Sequence, residues 1–97
     1  MLDMMPRDPH LVEGSVLEFK CTMDSKRSNS SDLYFAYRKF EEQKQTVPEK
    51  YYSVVNSTTL MMQYPNISRS FDSALFACYT KNDTFLDQMQ ITVDSKF

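Results

Sequence analysis

Tryptophan is missing from this 97-residue chain, and glycine, histidine and cysteine are scarce: Gly14, His10, Cys21 and Cys78 are all there are. Each shortage removes a class of chemistry. Phosphate-cradling loops and dinucleotide fingerprints need several glycines at fixed spacing, so a single glycine excludes both. A zinc site needs three or four converging ligands, and one histidine beside Pro9 has no such company. Nucleophilic triads require a histidine base, for which His10 is the sole residue available. On an expected strand edge, His10 reads as an exposed side chain without a role. The acid pairs Glu41-Glu42 and Asp83/Asp87 read as solvated turns. Neither an enzyme activity nor a cofactor nor a metal is expected.

Charge and hydropathy narrow the field further. A net charge of −2 with both signs interspersed leaves no basic footprint for nucleic acid. No apolar run approaches the ~18 residues that mark a bilayer span, so direct membrane insertion of this domain is not expected. Met1-Leu2-Asp3-Met4-Met5 has no basic region leading into an apolar core, so it does not read as a signal peptide. The expectation is a mature piece of a longer protein carrying an added Met1.

What is present points outward from the cell. The asparagines Asn29, Asn56, Asn66 and Asn82 each have Ser or Thr two residues on, with no proline between. All four are therefore acceptor sequences for N-glycosylation. With about a fifth of the chain Ser or Thr, four of four by chance is on the order of one in a thousand. An even pair of cysteines suits one disulfide, and an extracellular setting favours it over two buried thiols. Cys21 and Cys78 stand 57 positions apart. In the chain-entropy model, closing such a loop removes roughly 4 kcal/mol of unfolded-state entropy. The staple matters because a chain of this length buries under ~70% of its unfolded surface and has a modest core.

Period-two patterns dominate the chain. Residues 1–9 carry Pro6 and Pro9 and read as an irregular edge segment. Leu11 and Val12 precede a Glu13-Gly14 turn. In residues 15–23, Leu17, Phe19, Cys21 and Met23 share one side. Asp24 to Ser31 is a polar loop. In residues 32–40, Leu33, Phe35 and Tyr37 alternate with Tyr34, Ala36 and Arg38. Glu41 to Thr46 reads as polar loop. Tyr51 to Val55 is a short strand, and Leu60, Met62 and Tyr64 alternate in the next. Ile67 is expected to cap the core. Lys81-Asn82-Asp83-Thr84 makes a hairpin turn, after which Met89, Ile91 and Val93 complete the last strand. No helical period competes, and the reading is one domain over residues 1–97 with about seven strands.

Asp72-Ser73-Ala74-Leu75-Phe76-Ala77-Cys78 organises the rest. An acid, a small residue, an aromatic and a cysteine at two-residue spacing resemble one strand of the immunoglobulin sandwich. Phe76 stands where that fold usually has a tyrosine, so the usual corner hydroxyl bond cannot form. The missing core tryptophan leaves Phe35 or Tyr37 to fill its place. The resemblance implies an all-β, immunoglobulin-like two-sheet sandwich with Cys21–Cys78 as its inter-sheet disulfide.

Placing the strands of residues 33–40, 75–81 and 88–93 side by side sorts their residues onto two faces. Leu33, Phe35, Tyr37, Phe76, Cys78, Met89, Ile91 and Val93 point inward. Outward point Tyr34, Ala36, Arg38, Leu75, Ala77, Tyr79, Gln88, Gln90 and Thr92. Aromatics with a polar rim are the material of binding patches, so Tyr34, Arg38, Leu75 and Tyr79 become candidate ligand-binding residues.

A narrower resemblance runs through the stretch from Thr46 to Thr58, through Met62-Gln63-Tyr64-Pro65-Asn66-Ile67, and through the closing stretch from Leu86 to Val93. These are similar to the N-terminal immunoglobulin-like domain of class I cytokine receptors of the interleukin-six type. Leu33-Tyr34-Phe35 with the run from Asn56 to Leu60 resembles the insect Domeless-type members. Vertebrate members usually carry additional cysteines here, and a tryptophan where Tyr37 falls. The resemblance implies an extracellular receptor module that contacts a secreted helical cytokine or growth factor. The alternative is a cell-adhesion module that binds its own kind or another immunoglobulin-like protein.

Overall fold

The alternating stretches pair into sheets. A computed structural model of the chain describes residues 3–5, 9–22, 32–82 and 85–95. The strands are β1 (Asp3–Met5), β2 (His10–Val12), β3 (Leu17–Thr22), β4 (Leu33–Arg38), β5 (Gln45–Thr46), β6 (Tyr52–Asn56), β7 (Thr59–Tyr64), β8 (Leu75–Thr80), β9 (Phe85–Gln90) and β10 (Thr92–Asp94). One sheet has the order β1-β3-β7-β6, and the other β5-β4-β8-β9. Past Ile91 the chain continues from β9 into β10, which pairs in parallel with β2. The result is an all-β, immunoglobulin-like sandwich. Against the expected seven or so strands, ten are described; four of the ten are short, with three residues each in β1, β2 and β10 and two in β5.

Two of the short strands lie in stretches expected to be irregular. Asp3–Met5 pairs with β3, and Met4 is fully buried. An apolar anchor fixes that edge despite the prolines around it. Gln45–Thr46 lies in the stretch expected as polar loop and pairs with Tyr37 and Ala36. It leads into Val47, which is fully buried and donates its N–H to the Phe35 carbonyl at 2.9 Å. The loop residues 24–31 lie outside the described residues, as do Met23, Asp83 and Thr84.

Parity along each strand decides burial. β3 alternates without a break, with Leu17, Phe19 and Cys21 buried and Glu18 and Lys20 exposed. On the facing sheet Leu33, Phe35, Phe76, Cys78 and Met89 are buried, and so are Ile91, just past β9, and Val93 on β10. Cys21 and Cys78 join the two sheets, with Cα atoms 6.4 Å apart. Two residues before each cysteine, on the same side, sit Phe19 and Phe76, whose ring centroids are 5.9 Å apart. Phe76 also meets Tyr37 at 5.4 Å and Phe71 at 5.8 Å. The place of a core tryptophan is thus shared: Phe35 is fully buried opposite Cys78, while Tyr37 is half-buried among Tyr64, Phe71 and Phe76. Ile67 is buried as expected.

With phenylalanine at the corner, other groups hold it. The Asp72 carboxylate accepts the Val93 N–H at 2.9 Å. Ser73 donates its N–H to the Ile91 carbonyl at 2.9 Å, and Ile91 donates to the Ala74 carbonyl at 3.0 Å. The acid of the Asp72 to Cys78 motif therefore ties the last strand to the entry of β8.

Candidate protein-binding face

On the outer side of β4 and β8, residue pairing sets three rows: Tyr34 opposite Tyr79, Ala36 opposite Ala77, and Arg38 opposite Leu75. Gln88 and Gln90 extend the second and third rows onto β9. All four candidate residues therefore lie on one face. A strand rises ~3.3 Å per residue, so Tyr34 and Arg38 are about 13 Å apart along it.

The rows differ in character. Tyr34 and Tyr79 stack with centroids 5.3 Å apart and planes 14° from parallel. Both are half-buried. Ala36 and Ala77 are buried, contrary to a simple outward reading, because their methyls end far below the neighbouring side chains. They floor a shallow depression of about 330 Å³ that Arg38, Lys44, Leu75, Tyr79 and Gln88 wall. Arg38 is exposed and has no carboxylate partner among the described residues. Thr92, placed outward with this set, is exposed but pairs with His10 on β2, beyond the three rows.

Two contributors to this face escaped the sequence reading. Lys44 lies with its ammonium 4.3 Å from the Tyr79 ring centroid, and it donates to the Tyr34 hydroxyl at 3.1 Å. A cation over an aromatic face is attractive, so Lys44 holds the tyrosine pair in place. Nothing in the loop sequence singles out Lys44 from its neighbours. Phe40 is 84% exposed at the turn after β4, and it lines a second depression with Arg38, Leu75 and Gln90. The strand expected over residues 32–40 stops at Arg38. An aromatic at the end of that stretch, just before the polar loop, is the signal that could have found it.

The remaining singled-out residues fall elsewhere. His10 meets the Asp94 carboxylate through Nε2, across the β2–β10 pair, so it is exposed but not without a contact. The Asp87 carboxylate accepts the Met4 N–H at 3.3 Å and thereby links β1 to β9. Among the described residues no group of three or more His, Cys, Asp or Glu could hold a metal ion. Asn56, Asn66 and Asn82 are exposed, and Asn29 lies outside the described residues. Tyr52 is a further surprise: its hydroxyl lies 2.8 Å from the Phe35 nitrogen and 2.8 Å from the Val47 carbonyl oxygen. Burial pushes its phenol up to about 12, against the lowering effect of the Phe35 backbone bond. No protein-family model and no curated protein matches this sequence.

Proposed function

We propose that this domain is the extracellular ligand-binding module of a cell-surface receptor, and that it contacts a secreted helical cytokine or growth factor through the outer face of β4, β8 and β9. One observation carries the reading: Phe40 is 84% exposed beside Arg38 and Leu75. Large aromatics and arginines beside apolar surface, ringed by neutral polar groups, are the composition of interface hot spots. Gln88 and Gln90 supply that rim. The likeness of Thr46 to Thr58 to the receptor domain favours a helical ligand over other proteins. The exposed asparagines of the acceptor sequences and the disulfide suit an extracellular home.

The test is a binding screen of the secreted domain against purified helical cytokines, repeated with Phe40→Ala, Arg38→Ala and Tyr79→Ala. The expected result is a ligand whose affinity falls tenfold or more with Phe40→Ala or Arg38→Ala, since truncating a hot spot costs about 2 kcal/mol or more. A ligand whose affinity none of the three changes would remove this face. A monomer–dimer equilibrium abolished by the same substitutions would instead point to adhesion between copies.

A further inference from the structure

Among the described residues, β6 is the outermost strand of its sheet and pairs with β7 alone. Ser53 to Asn56 are all exposed, Val54 at 66% and Val55 at 47%. Unpaired backbone groups flanked by apolar β-branched side chains are a template for another strand. Proteins blunt such edges with charge, proline, bulges or a cover. Tyr52–Asn56 contains neither a charged residue nor a proline. Its register steps from Val54–Leu60 to Asn56–Thr59, which leaves Val55 as an extra residue, and that irregularity sits beside the two exposed valines rather than covering them.

Asn56 ends this strand and opens the acceptor sequence Asn56-Ser57-Thr58. Its Oδ1 accepts the Thr58 N–H at 2.9 Å and the Thr58 hydroxyl at 3.1 Å. Its Nδ2, the atom a glycan would join, has no hydrogen-bond partner among the described residues. Val54 lies two residues away, about 7 Å along the strand, close enough for a bulky glycan to screen it. The other exposed acceptors differ. Asn66 is in the loop beside Gly14, and Asn82 is in the turn after β8.

We propose that Asn56 carries an N-linked glycan that covers the β6 edge and keeps two copies of the domain from pairing edge to edge. In the transfer, Nδ2 bonds to the anomeric carbon of an oligosaccharide borne on a lipid pyrophosphate. The bond from that carbon to the pyrophosphate oxygen breaks, and Nδ2 gives up one proton. The proposal rests on the extracellular reading, because that donor belongs to the secretory route.

The experiment uses the chain secreted from eukaryotic cells, as wild type, Asn56→Gln, Thr58→Ala and the control Asn66→Gln. Peptide mass spectrometry reads occupancy, and sedimentation against concentration reads association. The expected result is an occupied Asn56 and a monomeric wild type and control. Thr58→Ala, which spares Asn56 and both valines, should associate at least tenfold more tightly, and adding Val54→Lys should return it to monomer. An unoccupied Asn56 beside an occupied Asn66 or Asn82 would overturn the site and leave the extracellular reading standing. A Thr58→Ala chain as monomeric as a glycosylated wild type would overturn the covering role. Secreted protein bare at all four acceptors would overturn the proposal and weigh against the extracellular reading too.

Discussion

The hydroxyl of Tyr52, on one sheet, completes the backbone hydrogen bonding of Phe35 on the other. It accepts the Phe35 N–H at 2.8 Å and lies 3.0 Å from the Phe35 carbonyl oxygen, while the two rings meet edge to face with centroids 5.6 Å apart. Phe35 is fully buried, so its N–H has no water to fall back on. Tyr52→Phe keeps the ring and removes the hydroxyl. Leaving a buried donor unpaired costs about 1–3 kcal/mol, and we expect a loss in that range by denaturant unfolding. An unchanged midpoint would mean that the Phe35 N–H finds another partner.

The same hydroxyl sets an alkaline limit. Its phenol is raised from 10.0 to about 12, chiefly by burial. Between those values the folded chain keeps a proton that the unfolded chain has lost. Stability from Tyr52 is therefore whole below pH 10 and drains away as pH rises to about 12. Wild-type stability should fall more steeply over that window than that of Tyr52→Phe. Parallel curves would refute the assignment, and alkaline absorbance should show one fewer tyrosinate in Tyr52→Phe near pH 12.

The Cys21–Cys78 bond closes a loop of 57 positions across the core. Replacing both cysteines with alanine should cost ~2–5 kcal/mol, enough to leave a domain of this size marginal. Thermal unfolding of the double variant checks this. Alkylation under non-reducing denaturation should add no mass to the wild type.

Gly14 is held at φ 87°, where a side chain strains the backbone. A Cβ there would have room, with Asn66 Oδ1 its nearest neighbour at 3.8 Å. Gly14→Ala should therefore cost roughly 1–2 kcal/mol through the backbone alone. Gly14→Asn should cost less, because asparagine tolerates this region. Equal unfolding midpoints for glycine and alanine would contradict the strain.

Tyr34 and Tyr79 are directly opposite and stacked. A double-mutant cycle with Tyr34→Ala and Tyr79→Ala should give a coupling of about 0.5–1.5 kcal/mol in stability. Repeating it with Lys44→Ala should shrink that coupling, since the lysine lies over both rings. Additive losses would mean that the two rings are neighbours without mutual support.

Local pattern was enough for the inner wall of this sandwich. A strand turns its side chains over every second residue, so once Leu33, Phe35, Phe76, Cys78, Met89, Ile91 and Val93 are read as strand residues, their parity already puts them inside. Two cysteines likewise admit one intrachain pairing. Parity also set Tyr34, Arg38, Leu75 and Tyr79 on one face, because neighbouring strands share a pleat. It could not say that Lys44 folds back over the tyrosines, that Phe40 stays in solvent, or that His10 meets Asp94. Nor could it foresee that the hydroxyl of Tyr52 reaches Phe35, 17 residues earlier and on the other sheet. Those contacts have no local period. They arise from where the turns, the two-residue β5 and the β10–β2 pairing bring distant segments, and only the packed sandwich holds them at bonding distance.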